Sequence, residues 1–490
     1  MGKPLQLIRP YPISDWNRFN ENRGRPLSLF GKIGTTALAW AALSGLASSA
    51  QADTLHDALL SAYRKNPALN AARAGQRAVD ENVPQALSGW RPTVSATGSV
   101  SQNGTYTANS LGASSYSNPA QENLTIRLNQ PVFRGFRTVE STAVAEAQVK
   151  AGQQQLLGTE EQILLSVVSA YVNLMRDRRV VELRQRDLGV LQGQNRATNE
   201  RFKAGVLTRT DVAQSEAGVA SQRAALAVAT ATMKTSEASY VQFVGHAPGH
   251  LAAAPFARTP ANLDEALGIA NQTNPSILAA AQAAIAADHS IGVVKSALLP
   301  QADLTGVYSL SGSQNSAGGF GGTVPYSSQS SLTIQGSVTV PIYDAGLNYS
   351  QVRQAKQRAS QSKISVIDAT RQVRQAVVQA WQGYVAAKQS VASNASGVSA
   401  SRLAFDGLKQ EYQVGSRSTV DVLNAELTLL GNEIALVNSQ HDQLLTSYQL
   451  QSAMGHLTAR HLRLGPIYDV KGNYDKVRNK WIGLDADVLQ

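Results

Sequence analysis

The chain has 490 residues, too many for one ordinary compact core, which points to two units or to an elongated repeat. Charged residues make up 16% and hydrophobic ones 43%, so this is not the composition of a disordered tail. The net charge is +10, and the lack of any cysteine excludes disulfides, thiolate metal sites, a cysteine nucleophile and an acylated N-terminal cysteine.

Residues 1–52 read as a secretory signal peptide. Six basic residues (Lys3, Arg9, Arg18, Arg23, Arg25, Lys32) stand against Asp15 and Glu21. The apolar run Thr35 to Leu46 follows, then Ala50-Gln51-Ala52, a small-x-small cleavage pattern. About a dozen apolar residues are too few to span a bilayer. Cleavage after Ala52 removes six basic and two acidic residues and lowers the charge from +10 to +6. That mild excess argues against a nucleic-acid partner.

The remaining chain repeats itself. Thr54-Leu-His-Asp-Ala-Leu59 matches Asn262-Leu-Asp-Glu-Ala-Leu267, and Asn66-Pro67 matches Asn274-Pro275, both at an offset of 208 residues. Gly205, Asp211 and Glu216 match Gly415, Asp421 and Glu426 at an offset of 210, and so does Gly245-His246 with Gly455-His456. A near-constant offset means one structural unit used twice. The division expected is a first repeat over 53–261, a second over 262–460 and a C-terminal tail over 461–490.

Each repeat opens on a helix, predicted over 54–89 and 263–298. Alternating segments follow, with strands at about 93–103 and 123–132, then about 303–311 and 330–341. Leu124, Ile126 and Leu128 alternate with Thr125, Arg127 and Asn129, and Leu332, Ile334 and Val338 with Thr333, Gln335 and Thr339. Such segments suit a barrel with lipid outside and water inside. Taken singly, each also suits a sandwich strand with one solvated face. The Gly/Ser/Asn-rich stretches 104–120 and 312–329 read as long exposed hairpin loops. Gly318-Gly-Phe-Gly-Gly322 is no phosphate loop, because no Lys-Ser/Thr opens a helix after it.

Two very long helices are predicted over about 136–203 and 347–413, neither containing proline. About 68 residues at about 1.5 Å each reach about 100 Å, more than a compact domain needs. Val377, Tyr384, Val391, Val398, Phe405 and Tyr412 recur every seven residues, as do Val167, Leu174, Val181 and Leu188. A seven-residue stripe implies a left-handed supercoil with neighbouring helices. Each long helix stops at a turn, Ala204-Gly205-Val-Leu-Thr-Arg-Thr-Asp211 and Val414-Gly415-Ser-Arg-Ser-Thr-Val-Asp421. Glycine there suits the left-handed cap, and Thr208/Asp211 and Ser418/Asp421 have capping-box spacing. A further helix of about 37 residues follows each turn.

Four strands per chain cannot close a transmembrane barrel, and an open edge in lipid leaves backbone groups unsatisfied. Several chains must therefore share one barrel, with eight strands from two copies or twelve from three. No catalytic, cofactor-binding or metal site is expected. His246, His250, His456 and His461 have no HExxH order, and there is no Ser-His-Asp, Walker or dinucleotide pattern.

The repeat, the strand pairs, the long helices and the turn Tyr412-Gln-Val-Gly-Ser-Arg417-Ser-Thr-Val-Asp421-Val-Leu resemble the TolC family of outer-membrane exit ducts. The tail, with Asn479-Lys-Trp-Ile-Gly483, resembles type I secretion members of that family. The resemblance implies a mixed α and β membrane protein: a homotrimer with a shared 12-stranded β-barrel continued by a long α-helical barrel. It implies an outer-membrane position in a Gram-negative bacterium, among outer-membrane lipid, with a long periplasmic extension. The implied function is export of proteins and/or toxic small molecules by docking on an inner-membrane ABC or proton-driven transporter and a periplasmic adaptor. The competing reading is a structural envelope-spanning or adhesive protein without a transport role. The resemblance also implies a periplasmic gate in which Tyr412 and Arg417 tie the inner coil to its neighbours, with Thr210 and Asp211 as partners. Asp421 matches an acidic ring at the constriction, and Asn424 stands where a second aspartate is frequent. From the residues alone, Asp211 and Asp421 can equally be helix caps and Arg417 a solvated charge.

Overall fold

The computed structural model describes residues 53–486 apart from 113, 119 and 315–325. The expected signal peptide and the Gly318–Gly322 run lie outside the described residues. In chain order come α1 (Leu55–Lys65), α2 (Pro67–Asp80), α3 (Asn82–Leu87), β1 (Thr93–Gln102), β2 (Thr105–Ala108), β3 (Ser114–Ser117), β4 (Ala120–Arg134), α4 (Arg137–Lys203) and α5 (Arg209–Val244). The second half gives α6 (Leu263–Thr273), α7 (Pro275–Lys295), β5 (Gln301–Gln314), β6 (Tyr326–Thr339), α8 (Leu347–Gln413) and α9 (Thr419–Ala453). Two short helices close the chain, α10 (Ala459–Leu462) and α11 (Gly472–Val477).

The single helices expected over 54–89 and 263–298 are each broken, and Asn-Pro breaks both. Proline lacks an N–H and pushes the preceding residue out of the helical region. Asn66 and Asn274 are accordingly extended, at φ −63°, ψ 123° and φ −66°, ψ 122°. Each then caps the next helix: the Asn66 side chain accepts from Ala68 and Leu69 N–H, that of Asn274 from Ser276 N–H. The amides donate outward, Asn66 Nδ2 to the Phe243 carbonyl at 3.1 Å and Asn274 Nδ2 to the Ala453 carbonyl at 3.0 Å. One residue per repeat thus stops a helix, starts another and pins the end of the coil returning to it.

β1, β4, β5 and β6 form one antiparallel sheet in that order. Directly paired residues share a face. Val94↔Leu128, Ala96↔Ile126, Ile126↔Tyr308, Leu124↔Leu310 and Tyr308↔Leu332 therefore build one apolar face. The other face holds Ser95↔Arg127, Thr97↔Thr125, Asn129↔Thr305 and Thr305↔Gln335. The apolar face is uncovered, with Leu332, Ile334 and Val338 at least 70% exposed. Among the described residues β1 pairs only with β4 and β6 only with β5, so both edges are open. The stretch expected as a long exposed hairpin loop over 104–120 carries the small hairpin β2–β3.

α4 and α8 each run 67 residues from the sheet, about 100 Å at the helical rise. The seven-residue stripes face neighbours. Val167, Leu174, Val181, Val377 and Tyr412 are buried, and Leu188, Tyr384, Val391, Val398 and Phe405 are half-buried. α5 folds back on α4, and α9 on both α8 and α4. Halfway along, α1, the tail and the ends of α5 and α9 wrap α4 in the largest apolar core, which includes Leu59, Tyr63, Leu164, Val168, Tyr171, Tyr240 and Leu457.

Candidate functional site: the coil turns

The end of the coils opposite the sheet is built twice by the same chemistry. Gly205 and Gly415 adopt φ +77° and +84°, which a residue with a Cβ disfavours. In the first turn Gly205 N–H donates to Phe202 O and Val206 N–H to Arg201 O. In the second, Gly415 donates to Tyr412 O and Ser416 to Glu411 O, closing the helix end the same way. Three residues on, Thr208 and Ser418 cap α5 and α9, with both reciprocal capping bonds formed.

Those bonds occupy both turn aspartates. Asp211 accepts from Thr208 N–H at 2.9 Å and from its hydroxyl at 2.7 Å. Asp421 accepts from Ser418 N–H at 3.0 Å and from its hydroxyl at 2.8 Å. The Thr208 hydroxyl above all holds Asp211 below the usual carboxylate range, and the Ser418 N–H does so for Asp421. Both carry full charge at neutral pH. Asp421 lies in the first turn of α9 and the exposed Asn424 in the second, three residues on and so its neighbour on the helix surface. Thr210 is exposed beside Asp211.

Tyr412 is buried, although it lies in the last turn of α8. Thr419 Oγ1 lies 3.4 Å from its hydroxyl, and the Arg201 guanidinium of α4 stacks over its ring at 4.7 Å. The ring therefore joins three helix ends: those of α8 and α4 and the start of α9. Arg417 is exposed and pairs with Glu411 at 2.8 Å, a bond that holds its guanidinium above its ordinary pKa. Among the described residues, no hydrogen bond or ion pair joins Tyr412 or Arg417 to Thr210 or Asp211 within the chain. The two turns are structurally alike and are not tied to each other by these side chains.

The seam above the turns holds residues that the sequence did not single out. Leu191 of α4, Val219 of α5 and Leu423 of α9 form a small apolar cluster. Next to it Asp187 of α4 and Glu426 of α9 are buried and hydrogen-bonded to each other. Burial pushes Glu426 up to about 8, helped by the charge of Asp187, and lifts Asp187 to about 6. Glu433 of α9, also buried, accepts from Arg402 of α8 at 2.6 Å and from Arg186 of α4. Glu426 was visible only as the repeat partner of Glu216. Glu216 is exposed, because α5 packs mainly on α4 whereas α9 lies against both long helices.

With this geometry in view, the chain can be compared with known proteins. Residues 58–246 and 266–456 each match the family described as outer membrane efflux protein. Outer membrane efflux protein BepC of Brucella suis is 38% identical over 90% of this chain and 95% of its own length. Outer membrane protein TolC of Escherichia coli is 26% identical, covering 86% of each chain. The crystal structure of outer membrane protein VceC from Vibrio cholerae superposes with a TM-score of 0.68 at 18% identity, covering 82% of this chain and 96% of that one.

Proposed function

We propose that this chain, which belongs to the outer membrane efflux protein family, completes its membrane sheet by sharing it among three copies. As a family member it is a TolC-type efflux channel of the Gram-negative outer membrane with a periplasmic extension, and not an enzyme. The observation that carries the proposal is the four-stranded sheet with one uncovered apolar face and open edges at both β1 and β6. An edge in lipid leaves several kcal/mol per unpaired backbone group, so β6 of one copy pairs with β1 of the next. Three copies supply twelve strands, and their coils continue the barrel as a helical tunnel. The mainly polar inner sheet face, with Ser95, Thr97, Thr125 and Gln335, lines a water-filled lumen.

The tunnel hands cargo outward from an inner-membrane transporter held by a periplasmic adaptor. Cargo is secreted protein, toxic small molecules or both. The coil turns form the periplasmic gate: Tyr412 and Arg417 hold the inner coil, Thr210 and Asp211 face it from a neighbouring coil, and Asp421 supplies the constriction's negative ring. A purely structural envelope protein has no use for a water-lined sheet closed against lipid. The test is the mass of the detergent-solubilised assembly together with single-channel recording. Three chains per particle and a conducting pore are expected. A stable, conducting monomer refutes shared closure. Deleting the gene raises sensitivity to detergents and dyes or abolishes secretion of a protein, whereas no change in either contradicts the exit-duct reading.

A further inference from the structure

The C-terminal tail does not end where the coils end. From the middle of the molecule it climbs back along α2 and α4 toward the sheet, held at successive points. Tyr468 N–H donates to the Tyr63 hydroxyl at 2.9 Å, and the Arg73 guanidinium lies 4.9 Å from the Tyr468 ring. Asn473 Nδ2 donates to Asp80 at 2.8 Å, and Arg478 Nη2 to Glu146 of α4 at 2.7 Å. Tyr474 packs on Val83, Ala145 and Val149. The last fixed point is Arg91, whose Nη1 donates to the Lys480 carbonyl at 2.9 Å while its guanidinium stacks 4.7 Å from the Trp481 ring.

Arg91 is three residues before Val94, the first apolar-face residue of β1, so it lies about 10 Å along the chain from the lipid-facing sheet. At this level the tail presents Trp481, 66% exposed, with Ile482 and Leu484 at 91% and 103%. Among the described residues of the tail, nothing else is so apolar and so bare. The pattern is that of a membrane-interface element: an indole, whose ring is apolar and whose N–H is polar, beside the mouth of a spanning sheet. Lys480 is itself neutralised by Asp485 at 2.9 Å, which leaves the apolar side chains as the main exposed chemistry. Trp90 and Phe136, 43% and 59% exposed, stand at the same strand ends.

We propose that Trp481, Ile482 and Leu484 form an interfacial anchor seated in the periplasmic leaflet of the outer membrane, at the phospholipid headgroup–acyl boundary. The tail is then a strap running from the mid-level core to the bilayer, with Arg91 aiming the indole. It fixes the depth of the sheet in the membrane from a point outside the sheet. This rests on the membrane reading of the sheet given above.

The test places the trimer in phosphatidylethanolamine–phosphatidylglycerol vesicles whose acyl chains are brominated near the headgroup end. Wild type, Trp481→Phe and Trp90→Phe are compared, so that each indole's emission is obtained by difference. The expected result is that Trp481 loses most of its emission in brominated vesicles and keeps it in unbrominated ones, as Trp90 does. Quenching of Trp90 with Trp481 unaffected overturns the anchor and leaves the membrane sheet standing. Trp481 shielded from both bromolipid and aqueous iodide means that it is seated on a second copy of the chain, which also overturns the anchor. If neither indole is quenched, the strand ends do not lie at the bilayer, and the anchor falls together with the membrane reading.

Discussion

Asp187 of α4 and Glu426 of α9 share one hydrogen bond in the buried seam above the coil turns. Two ionised carboxyls side by side, out of water, repel strongly, so one proton stays between them. With Glu426 raised to about 8, that proton is present at neutral pH. The pair closes the seam between a long helix and the returning coil, which are the elements that converge on the proposed gate.

The pair makes the seam pH-dependent, and the sign follows from the direction of the shifts. Both native values lie above their unfolded values. Their contribution to stability is full below about pH 4 and is lost as the pH rises through about 8. Heat resistance of the assembly should therefore fall between about pH 6 and 9. Glu426→Gln keeps a donor to Asp187 and removes the second charge, so the variant should lose less resistance over this range than wild type. Parallel thermal melts at the two ends of the range check this; identical slopes for variant and wild type would show that the pair does not titrate there.

The two Asn-Pro breaks should be equivalent in energy as they are in geometry. Asn66→Ala or Asn274→Ala removes an N-cap and one side chain to carbonyl bond, together about 1–3 kcal/mol. Each should lower the apparent melting temperature. Aspartate in either place retains the cap and loses the amide donor, so it should recover about half the loss. A loss at one site only would mean that the repeat's symmetry does not extend to its joints.

The proposed acidic ring should act through charge and not through capping. Asp421→Asn keeps an acceptor toward Ser418 and removes the negative charge, so block by multivalent cations should weaken and cation selectivity should fall. Asn424→Asp adds one charge per chain on the exposed face and should strengthen the block. Reversal potentials and trivalent-cation titrations on single channels check both. Unchanged block in both variants removes the start of α9 from the constriction.

The repeat carried most of what the sequence could reveal. The Gly205 and Gly415 turns and their capping boxes were legible because they are local: three or four residues determine them. Alternation exposed the sheet's two faces, since side chains in a strand have period two whatever they pack against. The breaks at Asn66 and Asn274 were also local, but the two Asn-Pro pairs served only as landmarks of the repeat and not as helix stops. Arg201 over Tyr412, and Asp187 against Glu426, were not legible. Each joins residues more than two hundred positions apart, and Glu426 stands at the same repeat position as the exposed Glu216. Which of two repeat-equivalent carboxylates is buried depends on which coil packs between the long helices, a tertiary fact.

The central claim is that three copies make a tunnel held shut at the coil turns. It is tested most directly by single-channel conductance of Tyr412→Phe/Arg417→Ser in planar bilayers. The double variant keeps the Tyr412 ring under Arg201 but removes the hydroxyl facing Thr419 and the guanidinium paired with Glu411. Small losses in each chain multiply across three copies, enough to raise the open population severalfold. Conductance well above that of wild type, from trimers of unchanged mass, is the predicted result. Intact trimers conducting like wild type would contradict it and place the closure elsewhere in the tunnel.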